Sequence, residues 1–119
     1  MSRNERGFTL IEIIAVLVIL GILAAVAVPK YFDMQTKSQE SAVSGAVAAL
    51  QSNATQQYAQ ALLNTPSVTV YTPTPSTVVV GDFTGTIVNA AGAVTVRVTA
   101  GPSWWNSSIA GNSKSFSMY

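Results

Sequence analysis

The pattern of apolar residues divides the chain into one long apolar run, an amphipathic stretch and several short alternating segments. The first run, from Phe8 to Pro29, is apolar throughout except for Thr9 and Glu12. At about 1.5 Å per residue such a helix rises roughly 33 Å, enough to cross a bilayer core of about 30 Å. The run predicts a transmembrane helix, because it is far longer than an ordinary β-strand.

The stretch from residue 30 to residue 64 predicts a continuation of the helix with one apolar face. The apolar side chains on that face recur three or four positions apart: Val43, Val47, Leu50, Ala54, Tyr58 and Leu62. Pro66 disfavours helix in the residue before it, so the helix is predicted to end near Leu63 or Asn64. Pro29 removes a helical hydrogen bond and predicts a kink around residues 25–29.

The last half of the chain predicts a loop followed by a small antiparallel sheet. Residues 65–76 are rich in proline, threonine and serine and predict a connecting loop, with Val68–Tyr71 as a candidate short edge strand. The predicted strands are Thr77–Val80, Phe83–Val88, Ala93–Thr99 and a final edge strand around Phe116–Tyr119. Asn89–Gly92 predicts the turn of a hairpin.

Alternation along the strands predicts which side chains face the core. Val94, Val96 and Val98 alternate with polar residues, so this valine face is expected to cover the apolar face of the helix. The same alternation applied to Trp104 and Trp105 predicts that one indole packs inward while the other points outward.

The composition argues against catalysis and against several kinds of ligand. The chain has 119 residues, a net charge of +1 and no histidine or cysteine. A nucleophile–imidazole pair and the usual zinc sites are therefore excluded. Beyond Glu40 the only acid is Asp82, which argues against a calcium site. We expect no enzyme activity, metal or cofactor, and the absence of a basic patch argues against a nucleic-acid partner.

Glu12 is unusual, because a carboxylate inside a spanning helix costs on the order of 2.5 to 3.5 kcal/mol on insertion scales. It could simply lie near the membrane end and extend towards water. Alternatively it could be paired with a nearby cation, such as Arg3 or Arg6. A cut after Gly7 would supply another cation, since the new α-amine of Phe8 would lie one helical turn from Glu12.

The residues around Glu12 resemble a known processing signal. Arg6-Gly7-Phe8-Thr9-Leu10-Ile11-Glu12, followed by an apolar run and a proline, resembles the class III signal of type IV pilins and type II secretion pseudopilins. The resemblance implies that a membrane peptidase cuts after Gly7 and N-methylates Phe8, and that Glu12 is the residue of filament assembly. The run Pro29 to Gln35 resembles pilins of the mannose-sensitive haemagglutinin type.

The resemblance implies an α+β pilin fold, in which a small sheet of three or four antiparallel strands packs on the second half of a long helix. The expected organisation is a leader (residues 1–7), a transmembrane and polymerisation helix (8–29), an amphipathic helix (30–64) and a loop-and-sheet region (65–119). The implied function is a pilin that forms a helical homo-oligomeric filament for adhesion or motility, and the alternative is a pseudopilin that drives protein secretion.

The resemblance also implies partners and a location. A prepilin peptidase and methyltransferase would process the single-pass precursor, and an inner-membrane assembly platform would then build an extracellular or periplasmic filament. One competing interpretation is an ordinary secretory signal with Ala25-Val26-Ala27 as its cleavage site, releasing a soluble protein that begins near Val28. Glu12 counts against this interpretation, since it interrupts what should be a charge-free core.

Overall fold

The computed structural model describes residues 9–67 and 70–118, and it contains one helix followed by four strands. Their bounds are α1 Leu10–Asn64, β1 Thr77–Val80, β2 Phe83–Ala90, β3 Ala93–Ala100 and β4 Ser113–Ser117. The strands form a single sheet in the order β1-β2-β3-β4, and each neighbouring pair is antiparallel. The predicted α+β arrangement is confirmed. The chain divides into two compact units, one up to Thr36 and the other from Lys37.

The part of α1 in the first unit exposes its apolar side chains. Leu10, Leu23 and Met34 are 77%, 59% and 63% exposed, and the large apolar residues between them are exposed as well. By length and composition α1 could cross a membrane. The helix is continuous across Pro29, and a kink at that residue stays a prediction. The helix ends at Asn64, as the position of Pro66 in the sequence predicts.

The core of the second unit lies between α1 and the sheet. Its buried apolar residues are Val43, Ala46, Val47, Leu50, Ala54, Tyr71, Ile87, Val94, Val96 and Val98. The valine face and most of the predicted helical face are therefore confirmed. Leu62, however, is 37% exposed, and its neighbour Ala61 packs against the core instead. Tyr71 was predicted to lie in the connecting loop or a short edge strand and is only 2% exposed.

Gly85 is the position in β2 at which α1 comes very close to the sheet. A Cβ atom at this position would lie 2.2 Å from Leu50 Cδ1 and 2.9 Å from the backbone oxygen of Arg97. Real side chains do not tolerate such distances, so Leu50 occupies the space that any larger residue at position 85 would need. The close packing of helix on sheet therefore depends on glycine here.

The hairpin between β2 and β3 is tighter than the sequence predicts. The strands extend to Ala90 and resume at Ala93, which leaves Ala91 and Gly92 as a two-residue turn. Both residues have positive φ, 51° and 91°, as in the type I′ turns that match the twist of paired strands. The side chain of Asn89 supports the turn, because its Oδ1 accepts a hydrogen bond from Gly92 N at 3.1 Å.

Two further predictions about the end of the chain need correction. The last strand is Ser113–Ser117, earlier than predicted, and it pairs with β3. Trp104 and Trp105 are both half-buried and both pack against the core, so the prediction that one points outward is wrong. They lie in an irregular segment after β3, where the alternation of a strand does not apply.

The candidate edge strand at residues 68–71 is not formed in the part of it that the structure describes. Tyr71 is not in a strand, while Val68 and Thr69 lie outside the described residues. Tyr71 instead turns into the core from the loop, and its ring meets that of Tyr58 edge-on, with centroids 5.7 Å apart.

Candidate functional site

The first turn of α1 holds Glu12 in a reciprocal hydrogen-bonded cap. Glu12 Oε2 accepts a hydrogen bond from Thr9 N at 3.3 Å, and Glu12 N donates to Thr9 Oγ1 at 3.4 Å. This is a capping box, in which residues three apart satisfy each other's free backbone N–H groups at a helix start. Glu12 also lies in the first turn of the helix, where the helix dipole favours a negative charge.

This cap explains how the chain accommodates a carboxylate beside an apolar run. One oxygen of Glu12 is bonded within the chain, which offsets part of the cost of removing it from water. The Thr-x-x-Glu spacing from Thr9 to Glu12 is a recognised sequence signal for such a cap. The cap is therefore a feature that can be predicted from the residues alone.

The other predicted site residues have a less complete structural description. Gly7 and Phe8, the predicted cleavage and methylation residues, lie outside the described residues. Their roles stay predictions, as does the kink at Pro29. What the structure does bring together is Glu12 with an exposed apolar surface, since Ile13, Val16 and Leu17 follow it along the helix and are 44%, 54% and 61% exposed.

A second polar cluster lies in the second unit and centres on the side chain of Gln57. Its Oε1 accepts hydrogen bonds from Tyr71 Oη at 2.7 Å and from Thr74 N at 3.0 Å. Its Nε2 donates to Asn53 Oδ1 at 2.9 Å and to the backbone oxygen of Pro75 at 3.2 Å. One amide on α1 therefore fixes the connecting loop at three points.

Tyr71 joins this cluster to the sheet. Its backbone oxygen accepts a hydrogen bond from Asn89 Nδ2 on β2, while its hydroxyl reaches Gln57 on α1. Burial raises the pKa of the Tyr71 phenol above its ordinary value of 10.0, because the phenolate would lose its hydration. No motif in the sequence points to this cluster, which arises only when helix, loop and strand are packed together.

The described part of the chain offers no group of three acidic, histidine or cysteine residues that could hold a metal ion. Its charged side chains lie on the surface, and apart from the phenol of Tyr71 no polar side chain among the described residues belongs to a buried residue. Lys37 and Glu40 form an exposed ion pair at 3.1 Å on α1. Such a pair contributes little to stability, since water and salt screen it.

Comparison with known proteins connects the N-terminal features to a family. Residues 2–28 match the prokaryotic N-terminal methylation motif. The chain is 56% identical over 45 residues to a type IV major alpha-pilin of Moraxella bovis, covering 38% of this chain and 28% of that protein. It is 33% identical over 97 residues to a fimbrial protein of Pseudomonas aeruginosa, covering 82% of this chain and 61% of the relative.

A third relative comes from a secretion system. The chain is 37% identical over 78 residues to the type II secretion system core protein G of Klebsiella michiganensis, covering 56% of this chain and 55% of that protein. The chain spans less than two thirds of the length of each of these three relatives. No solved structure matches it. Together with the methylation motif, the long apolar helix and the four-stranded sheet, these similarities support the type IV pilin and type II secretion pseudopilin family.

Proposed function

We propose that this chain is a structural subunit that polymerises through its N-terminal apolar helix into a type IV pilus-like filament for adhesion or motility. The observation that carries the proposal is the exposed apolar surface from Leu10 to Val28, which begins beside the capped carboxylate of Glu12. Contiguous apolar surface of this kind marks contact with lipid or with another protein. A filament subunit needs both, first in the membrane and then among its neighbours.

Processing would prepare the subunit for assembly. A prepilin peptidase would cut after Gly7 and methylate the new α-amine of Phe8, while the subunit spans the inner membrane as a single-pass precursor. The methylation motif at residues 2–28 supports this step. The mature chain would then carry a positive charge at its first residue, a short distance along the chain from Glu12.

Assembly would pair that charge with the Glu12 carboxylate of a neighbouring subunit. In an apolar filament interior the pair gains more Coulomb energy than a surface ion pair, although desolvation offsets part of the gain. The pairing would also set the axial stagger of the subunits, since only one stagger brings amine and carboxylate together. The bond from Thr9 N leaves the second oxygen of Glu12 available for such a partner.

The decisive experiment replaces Glu12 and follows processing and filament formation separately. Glu12→Ala should insert and lose residues 1–7 normally, since the cut lies outside the changed residue, yet yield few or no fibres. Glu12→Gln should share the defect if charge is the cause. Mass spectrometry measures the cleavage and the added methyl group, and electron microscopy of sheared fibres measures assembly.

Glu40→Ala is the matched control, because it removes an acid of α1 that is paired on the surface with Lys37. It should leave processing and fibres unchanged. Normal fibres from processed Glu12→Ala, or a mature chain that begins near Val28, would contradict the proposal.

A pseudopilin of a type II secretion system is the second candidate function. It is supported by the similarity to the core protein G of Klebsiella michiganensis. The two functions predict different losses when the chain is deleted from its host. A pilin deletion should remove surface fibres and leave protein secretion intact, whereas a pseudopilin deletion should stop secretion and leave surface fibres in place.

A further inference from the structure

Three residues of α1 directly after the apolar run form a cluster that the proposed assembly site does not use. Lys30, Tyr31 and Phe32 are all exposed, and the two rings are 66% and 60% exposed. The rings touch edge-on, with centroids 6.2 Å apart at an interplanar angle of 73°. They therefore form one aromatic pair at a single level of the helix, next to a lysine. We call these three residues the Lys30–Phe32 cluster.

The position of the cluster along the helix matches the edge of a bilayer. From Leu10 to Val28 a helix rises about 28 Å, close to the roughly 30 Å of hydrocarbon in a typical bilayer. The next residues then reach the zone of lipid headgroups. Aromatic side chains with a polar tip, such as tyrosine, are enriched in this zone, and a lysine there extends its ammonium group towards the phosphates.

We propose that the Lys30–Phe32 cluster binds the headgroup region of a phospholipid bilayer and sets the depth of the apolar helix in the membrane before assembly. Lys30 would pair with lipid phosphates, the Tyr31 hydroxyl would stay in the wet headgroup layer, and Phe32 would fill the boundary with the acyl chains. The lipid surface is the favoured occupant for two reasons, continuity with the apolar run and the complementary charge of lysine and phosphate. The inference rests on the proposed membrane-anchored precursor.

The absence of cysteine from the sequence allows a direct test of depth. Single cysteines are introduced into the full chain by Leu23→Cys, Val28→Cys or Gln35→Cys. Each protein is reconstituted into vesicles of phosphatidylethanolamine and phosphatidylglycerol and treated with a membrane-impermeant maleimide. The first two positions should react slowly and the third rapidly. Detergent should bring all three to similar rates.

The aromatic pair is then removed in each of these backgrounds. Tyr31→Ser/Phe32→Ser should raise the labelling rate of Val28→Cys several-fold, because the end of the helix loses its hold on the headgroup layer. Leu23→Cys should stay protected. Tyr31→Trp/Phe32→Trp should restore slow labelling, since tryptophan also favours the interface. Met34→Ser is the matched control, because it removes an equally exposed apolar side chain beyond the cluster and should change nothing.

The charge is tested separately with lipid composition. Replacing phosphatidylglycerol by phosphatidylcholine should speed the labelling of Val28→Cys in the otherwise native chain, and Lys30→Gln should abolish this dependence on lipid charge. An unchanged rate in the serine pair, or an equal effect of Met34→Ser, would overturn the inference. So would a loss of fibres in the serine pair with unchanged labelling, which would assign the rings to contacts between subunits. Rapid labelling of Leu23→Cys in the native background would instead contradict the proposed membrane anchor itself.

Discussion

Gly85 shows how much of the packing can depend on the absence of a side chain. Its missing Cβ leaves the space that Leu50 fills, and such an atom would also lie only 2.9 Å from the backbone oxygen of Arg97. The sequence indicates only part of this constraint. A glycine within a predicted strand indicates a bulge or a close backbone approach, but not which residue approaches.

We predict that Gly85→Ala destabilises the folded second unit by about 1 to 3 kcal/mol, because the new methyl group overpacks the core against Leu50. Denaturant unfolding followed by the fluorescence of Trp104 and Trp105, which both pack against the core, measures the change. Gly45→Ala is the control, since this helical glycine is exposed and has open space around it. It should stabilise the unit by about 0.5 to 1 kcal/mol. Equal effects of the two changes would contradict the packing argument.

Tyr71 makes the stability of the second unit decrease as the pH rises in the alkaline range. Its pKa is raised by burial in the folded state and is near 10 in the unfolded state. Above that pH the unfolded chain releases the phenolic proton while the folded chain retains it. The free energy of unfolding should therefore be fully maintained below about pH 10 and fall as the pH rises through the folded pKa.

The free energy of unfolding should fall less steeply across this pH range for Tyr71→Phe than for the native chain. The variant will start from a lower stability, because it loses the hydrogen bond to Gln57. The difference between the two slopes isolates Tyr71 from the lysines that titrate in the same range. Parallel curves would show that the Tyr71 pKa is not raised by folding.

At the scale of elements, the connecting loop is held by one side chain of the helix. Gln57→Ala would leave the Tyr71 hydroxyl and the Thr74 amide without their acceptor, which should cost about 1 to 3 kcal/mol. Amide hydrogen exchange should accelerate at Thr74 and leave the amides of β3 slow. Gln60→Ala, an exposed glutamine one turn further along α1, should have no such effect. Exchange at Thr74 that is unchanged in Gln57→Ala would refute the role of the amide.

The strands were predicted better than the connections between them. A short run of β-branched residues located β1 at its observed bounds. Alternation identified the buried face of β3, because burial on one side of a sheet leaves a two-residue period in the sequence. The turn at Ala91–Gly92 was predicted too long, since its tightness depends on a positive φ at alanine and on support from Asn89. The packing of Trp104 and Trp105 could not be predicted from alternation, because the two residues lie in an irregular segment.

At the scale of the whole molecule, the buried core formed by the described residues lies in the second unit, from Val43 to Val98. We predict that a truncated chain of residues 30–119 is soluble, monomeric and unfolds cooperatively. It lacks most of the exposed apolar surface but keeps every core residue. Circular dichroism should show mixed helix and strand signals that disappear in one thermal transition. A disordered product would mean that this small unit folds only together with the apolar helix or its neighbours.

The candidate assembly site at Glu12 is a prediction from the sequence, whereas the polar cluster around Gln57 is visible only in the structure. Glu12 stands out because a charge within an apolar run is costly, and this cost is visible without a structure. The Thr9 cap could also have been found from its spacing. The Gln57 cluster could not, because glutamine is common on helix surfaces and its partners lie 14 and 17 residues away along the chain.

The contact between Leu50 and Gly85 has a consequence for the divergence of such chains. A mutation that enlarges position 85 costs less stability where position 50 has already become smaller, although the backbone oxygen of Arg97 still limits the space. The two positions should therefore change together over evolutionary time, although they lie on different elements and far apart in sequence. A descendant with alanine at position 85 and an unchanged leucine at position 50 would have to pack the helix against the sheet in a different way.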